Sequence, residues 1–440
     1  MKKVCLILSV IVFATGSVPA SGGNALYVVN GLTETLSKID LENDIVHENI
    51  VSLGLWPNDI VVRGEKAYVV NSGSEDLYVV DLMSDSLLSI IDLGEGTNPW
   101  SAAFSNDNTL YVTNLLTNDV SKVDLTAGQV VTTILVGTAP EGLLVTGNRL
   151  FVTNTNFNGV GYDPGTVSVI DLAGDTVTAT ITVGTNPQDL VLDPQGEINV
   201  VCTGDYWSSF GMIYRIDSAT LSLLDSIPTG GTPARAAISQ FGFHYMAAGG
   251  WATDGEVFLH GTLNDVILRD SDDPITTGAG AMDVAVDSEG YMYAASFSGN
   301  TVTVFDIPDE YVKEYAVEGG PTAIALSEEP WVEVGVLPAQ QQVNRGELLE
   351  YTIDINHAGD ETEQVRAMNL VVLPNGVPFG GNPVLGPFTF DLVPGQNLNA
   401  DLSRLVPNAA PTGRYVFFTL VDDTDSRRSA VGSFWFDVMP

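Results

Sequence analysis

The sequence predicts an all-β protein: a seven-bladed β-propeller with mixed-strand ring closure, followed by a β-sandwich. Three observations predict it. A Tyr-Val strand motif recurs seven times, each copy alternates apolar and polar residues with period two, and the repeat stops at Glu329, leaving roughly 110 residues with strand patterning of their own. A length of 440 residues suits two or three domains with a large core.

The N-terminus reads as a processed leader. Met1-Lys2-Lys3 supplies a positive start, Val4 to Val18 is apolar or small, and Val18-Pro19-Ala20 offers small side chains for cleavage before Ser21. Residues 1–20 are therefore expected to be a signal peptide, and the mature chain to be extracytoplasmic: periplasmic, secreted or at the cell surface. No cysteine follows the cleavage site to carry a lipid, and Cys202 is the one thiol of the mature chain, read as a buried inert side chain on a strand.

The repeats are expected to span residues 24–328. YVVN occurs at Tyr27–Asn30 and Tyr68–Asn71, YVTN at Tyr111–Asn114 and FVTN at Phe151–Asn154. Weaker copies lie at Val200–Thr203, Tyr245–Ala248 and Tyr293–Ser296, with Thr203, Ala248 and Ser296 in place of the asparagine. A second strand follows most copies and ends in Asp-Leu, as in SKIDL at 37–41 and SKVDL at 121–125. A Gly-x-x-Pro turn then leads into an alternating strand, with Pro57, Pro99, Pro140, Pro187, Pro233 and Pro321 at its start and Ala281 in the remaining copy. A period of about 40–48 residues with four short strands is the pattern of propeller blades.

Each unit reads as strand A after the proline turn, strand B on the tyrosine motif, strand C ending in Asp-Leu, and strand D. The chain starts on a B strand, Leu26–Asn30, and its repeats end on an A strand, Thr322–Leu326. Pairing these two completes the seventh unit and removes two open edges.

These motifs resemble the YVTN or YncE-like repeat family of seven-bladed propellers, found in archaeal surface-layer and bacterial extracytoplasmic proteins. The resemblance covers about 305 residues and is strongest in the first four units. It implies fold and extracytoplasmic location, and the family carries no shared catalytic motif.

Residues 330–440 are expected to form an immunoglobulin-like β-sandwich. Strand-like runs at Val332–Leu337, Leu348–Ile355, Met368–Leu373, Phe388–Leu392, Tyr415–Val421 and Ser433–Val438 are separated by turn signals such as Pro374-Asn375-Gly376 and Val393-Pro394-Gly395. Pro411-Thr412-Gly413-Arg414-Tyr415 resembles the approach to a late strand in bacterial sandwich modules.

With 17 Lys and Arg against 55 Asp and Glu, the formal net charge of −38 disfavours nucleic acid and anionic lipid, so neither nucleic-acid binding nor membrane insertion is expected. Phosphate-binding, zinc-protease, haem-attachment and nucleophile-elbow motifs are absent from the mature sequence. No catalytic residue, metal ligand or cofactor is assigned, and the oligomeric state is left open. A hairpin centred near Thr253 sets His244 against residue 261 and points His244 and His260 to opposite faces, which precludes a shared metal. Acidic runs at 270–273 and 422–425 lack the glycine and distal glutamate of a calcium loop, and Asp193 and Asp287 read as hairpin-turn residues.

One pattern points to binding. The B–C and D–A connections of a propeller open at one end, and here they gather aromatic residues: Trp56, Trp100, Phe157, Tyr162, Tyr206, Trp207, Phe210 and Trp251. Beside the proline turns, Asp59, Glu141, Gln188, Asp189, Arg235 and Asp283 are expected to ring the channel mouth, with Arg235 able to answer an anionic group. The ligand-binding set is thus Trp56, Trp100, Glu141, Gln188, Tyr206, Trp207, Arg235 and Trp251, and the partner a glycan or an envelope protein or peptide. The alternatives are a propeller-type lactonase, lyase or quinoprotein-associated enzyme, and a structural surface-layer subunit.

Overall fold

The computed structural model describes residues 24–249, 254–327, 331–359, 361–426 and 428–440, and these hold strands, turns and loops without a helix. The expected leader at 1–20, the domain boundary near 330 and Trp251 lie outside the described residues. The described residues divide into two compact units, one of 24–262 with 266–327 and one of 331 to 440 with 263–265.

Among the described residues, the first unit forms seven propeller-like sheets, six of four strands and one of five. Sheets 1 to 6 cover 57–92, 99–135, 140–185, 187–228, 236–277 and 281–316. Sheet 7 joins Pro321–Ser327 to Ala25–Asn30, Thr35–Asp40 and Ile45–Ser52. Its seam is antiparallel, with Leu26 opposite Leu326 and Val28 opposite Ile324. The first strand of each sheet touches that of the next, and the cycle closes from Ala281–Val286 through Pro321–Ser327 to Pro57–Arg63. Every inner edge is thereby covered by a neighbour.

The repeat motifs have distinct physical roles. The asparagine closing each strong B strand is fully buried and ties B to C: Asn30 Nδ2 donates to Ser37 Oγ at 2.8 Å, Asn71 to Asp76 at 2.8 Å, Asn114 to Ser121 at 2.8 Å and Asn154 to Ser168 at 3.0 Å. The aspartate of Asp-Leu accepts backbone N–H groups of the following C–D turn, as Asp81 does from Met83 and Ser84 and Asp124 from Thr126 and Ala127. Hydroxyls tie one sheet to the next: Ser72 Oγ donates to Pro99 O, Thr113 to Glu141 O and Thr203 to Pro233 O, at 2.6–2.7 Å.

Two sequence readings need correction. Pro187 pairs with Cys202 just as Pro57 pairs with Asn71 and Pro140 with Asn154, so Cys202, not Thr203, takes the asparagine position. Thr203 instead corresponds to Ser72, whose hydroxyl makes the same kind of inter-sheet bond. His244 pairs directly with His260 and their ring centroids lie 5.9 Å apart, on one face of sheet 5. The hairpin is centred half a residue earlier than the turn residues imply, and that slip reverses the side-chain face. Both imidazoles are fully buried without hydrogen-bond partners, and burial pushes both toward the neutral form, His260 down to about 4.

The second unit has two sheets. Val332–Pro338, Leu348–His357 and Asn397–Leu405 form one; Gln342–Asn344, Ser429–Met439, Gly413–Asp423, Glu363–Val372 and Leu385–Leu392 form the other. Side chains from both meet in one core, where the Tyr351 ring lies 4.7 Å from that of Phe417, itself 5.1 Å from Phe434. Tyr415 Oη donates to Pro411 O at 2.9 Å, which fixes the approach to its strand. Sequence reading missed Gln342–Asn344, only three residues long, and Asn397–Leu405, a largely exposed strand paired on one side alone.

Candidate functional site

The connections after strands B and D share one end of the first unit, and in six of the seven sheets the residue before the A strand sets their geometry. Trp56, Asn98, Ala139 and Asn186 all adopt left-handed backbone there, with φ of 51°, 48°, 51° and 57°, and Gly280 and Gly320 do so at the corresponding places. The twist turns the chain from the sheet's outer strand back to the channel. Asparagine and glycine suit this conformation, whereas tryptophan is strained in it.

Trp56 is 67% exposed, and its ring lies against Gly73 of the neighbouring B–C turn, where a Cβ would come within 2.9 Å of it. Trp207 is 87% exposed. Its loop is held by Asp205, whose carboxylate accepts the N–H groups of Trp207, Ser208 and Ser209 and the Ser208 hydroxyl, bonds that keep it well below the usual carboxylate range. Asp205 is a positioning residue that sequence reading passed over; its signal is an Asp two residues before an exposed Trp in a Ser-rich turn. Tyr206 is exposed on one side and Trp100 half-buried.

Tyr206 also reaches inward. Its hydroxyl accepts from Gln188 Nε2 at 3.3 Å and Asn186 Nδ2 at 3.4 Å. The Tyr162 ring lies 6.3 Å from that of Tyr206 and 5.1 Å from that of Phe157. Beside this loop opens a cavity of about 230 Å³ lined in part by Cys202, Phe210 and Tyr214. Burial pushes the Cys202 thiol up to about 12, so it stays protonated and unreactive.

Deeper in, the structure brings the predicted channel residues together. Asp59 accepts Arg235 Nη1 at 2.6 Å, Ser101 Oγ at 2.7 Å and Ala102 N at 2.9 Å. Arg235 Nη2 also donates to Asn58 O at 2.9 Å, so this one side chain links sheet 5 to sheet 1 across the ring. Arg235, expected to answer an anionic ligand, has its guanidinium held by Asp59 and a backbone carbonyl. Asp189 and Asp283 each bond to the next sheet, to Ala236 N at 2.8 Å and Ile324 N at 2.9 Å. Burial raises Asp189 to about 6 and Asp283 to about 7, partly offset by the Arg235 charge.

Glu141 differs from these three. It is 8% exposed, and its carboxyl takes part in no hydrogen bond or ion pair with any described residue. Burial raises it to about 8, opposed by Arg235 and reinforced by Asp189, and its charge is felt by Tyr162 and Tyr206. Its backbone is clamped, since Thr113 Oγ1 donates to Glu141 O at 2.7 Å and a Cβ at Gly142 would lie 2.7 Å from Gln188 O. This end of the unit thus carries exposed aromatic rings, a Tyr162–Tyr206 pair bonded to the Gln188 amide, and a buried acid without a partner among the described residues. Among the described residues, no three His, Cys, Asp or Glu side chains are placed to hold a metal ion.

No known protein family and no curated protein matches the sequence. Solved β-propeller structures do match the fold. Hydrazine synthase from Kuenenia stuttgartiensis is similar at 19% identity and a TM-score of 0.53, over 65% of this chain and 93% of its own. A functionally unknown protein from Desulfotomaculum acetoxidans is similar at 15% identity and a TM-score of 0.56, over 69% and 98%. A streptogramin B lyase aligns at 11% identity and a TM-score of 0.48, over 67% and 88%. At such identities the first two likenesses, with the four-stranded sheets, define this chain as an all-β protein with a propeller fold and extend to no activity.

Proposed function

We propose that this chain is an extracytoplasmic binding protein of the YVTN or YncE-like kind, a seven-bladed propeller followed by an immunoglobulin-like sandwich. The end carrying Trp56, Tyr206 and Trp207 takes a glycan or an envelope polypeptide. The leader-like N-terminus and the strong acidity support the location, and the seven closed sheets support the blade count. The observation that carries the binding role is the pair Trp56 and Trp207, large rings on two separate connections that stand in solvent and are not packed between sheets. Exposed aromatic rings beside fixed polar groups gain contact area at low conformational cost.

The test is a screen of cell-wall glycans and envelope polypeptides against wild type, Trp207→Ala and Tyr206→Ala. Binding that falls about tenfold or more in either variant is the expected result. Binding that survives both changes places the ligand elsewhere. A second reading, a propeller-type enzyme, draws on Glu141, a buried acid raised to about 8 beside two phenols, which is the setting of a general acid. Turnover of a ligand found in the screen, abolished by Glu141→Gln, would favour it.

A further inference from the structure

We propose that the base of this site is a pocket for an ammonium group, and that its natural occupant is a lysine side chain of a polypeptide partner. The inference rests on the reading of this end as the binding face and narrows its ligand.

Charge and geometry carry the argument. Four carboxyls, Asp59, Glu141, Asp189 and Asp283, share the channel mouth with one cation, Arg235, and that cation is already held by Asp59 and Asn58 O. Asp59, Asp189 and Asp283 each accept backbone N–H groups from the adjoining sheet and are structural. Glu141 alone has no partner among the described residues while lying nine-tenths buried. An acid in that position needs a proton or a cation to neutralise it. Without a cation the proton does so, because burial raises Glu141 to about 8.

Aromatic rings lie within electrostatic range of Glu141. Phe157, Tyr162 and Tyr206 form a run of ring contacts, and both phenols lie close enough to feel the Glu141 charge. Rings attract a cation through their faces, and a carboxylate near them supplies the full opposite charge. Burial of the acid selects lysine: a slim four-carbon stem carries the ammonium group at its end, whereas an amino sugar bears its nitrogen directly on a bulky ring.

Binding exchanges one neutralising cation for another. The ammonium group binds the carboxylate form, so the Glu141 proton leaves to solvent as the ligand enters. The groups facing Glu141 are Arg235, Asp189, Tyr162 and Tyr206. Arg235 stays cationic, both phenols stay protonated, and Asp189 is already largely ionised at pH 7. Affinity therefore rises as pH increases toward about 8, where Glu141 is half ionised unaided.

The experiment is calorimetric titration of the full chain with Nα-acetyl-lysine methylamide, its trimethyl-lysine counterpart, the neutral norleucine isostere and glucosamine. It is run near pH 7 in two buffers of different ionisation enthalpy. The expected result is binding of both lysine ligands, none of norleucine, weaker binding of glucosamine, and release of close to one proton per lysine bound. Glu141→Gln, which mimics the protonated acid and should leave the melting behaviour at pH 6 unchanged, is expected to abolish the release and weaken binding roughly 10- to 100-fold. The trimethyl ligand keeps its charge at every pH, so its affinity should climb from pH 6 to 8 in wild type only. Equal binding of lysine and norleucine ligands, or lysine binding unaffected by Glu141→Gln, overturns the proposal. Glucosamine bound as tightly as lysine, with the same dependence on Glu141, overturns the polypeptide assignment. A macromolecular ligand lost in Trp207→Ala but kept in Glu141→Gln leaves the binding face standing without its ammonium pocket. Lysine binding that needs Glu141, with no macromolecule sensitive to Trp207 or Tyr206, leaves the pocket standing without the wider face.

Discussion

Trp56 occupies a position that five other units fill with Asn98, Ala139, Asn186, Gly280 or Gly320, because in these units the chain takes a left-handed turn before entering its inner strand. A large L-residue in that conformation costs about 1–2 kcal/mol, which an asparagine partly avoids. The ring recovers little by burial, since it is 67% exposed. Trp56→Asn is therefore expected to stabilise the first unit by about 0.5–1 kcal/mol while weakening ligand binding, read by denaturant unfolding alongside the screening assay. A destabilised variant would show that contact with Gly73 outweighs the strain. The sequence displays a tryptophan before a proline, but its strain becomes visible only when the turn is superposed on its repeats. Glu141 hides for a similar reason. Its neighbours Tyr162 and Tyr206 come from two connections and Gln188 from the next sheet's inner strand, and nothing in Pro140-Glu141-Gly142 shows that the acid lacks a partner.

At the scale of the strand and its neighbours, the motif was legible because each of its letters does separate work. Asparagine ties B to C, aspartate caps the C–D turn, and a hydroxyl reaches the next sheet. Where the asparagine is lost and a neighbouring hydroxyl is kept, the period alone misaligns the copy by one residue. Cys202 stands at the asparagine position of sheet 4, and Thr203 beside it supplies the bond to Pro233 O at 2.7 Å. The histidine pair failed for the same reason: a half-residue error in the hairpin centre inverts the face, and sequence has no independent check on register there. The hydroxyl ties give a direct test. Thr203→Val keeps shape but leaves the Pro233 carbonyl unpaired in a buried inter-sheet contact, so it should cost about 1–3 kcal/mol. Thr180→Val on an exposed strand position should stay within about 0.5 kcal/mol, and equal effects would remove the ties from any account of ring stability.

Over the whole molecule, the acidity visible in composition separates into two populations that respond oppositely to pH. Surface carboxylates such as Asp40, Asp44 and Asp225 are hydrogen-bonded and held below their ordinary values, so they stabilise the fold until pH falls through the acid range. Four buried carboxyls behave in reverse: burial lifts Asp189 to about 6, Asp193 and Asp283 to about 7, and Glu141 to about 8. In the unfolded chain they ionise near their ordinary values of 3.8 and 4.5. Above pH 4 the unfolded state has therefore lost protons that the native state still holds, and stability falls with rising pH until each folded value is passed. Three of the four share the Arg235 field, so their combined effect is a few kcal/mol, on the order of 2–4, not a simple total. Self-repulsion from a formal charge of −38 acts in the same direction but fades with salt, whereas the buried contribution does not. Thermal melts of the propeller transition should thus peak near pH 5 and decline toward pH 8.5 even in high salt. Glu141→Gln, neutral at every pH, should flatten the part of that decline between about pH 6 and 8. A melting temperature that rises from pH 5 to 8 in high salt, or a slope that Glu141→Gln leaves untouched, would mean that these carboxyls ionise freely in the folded chain.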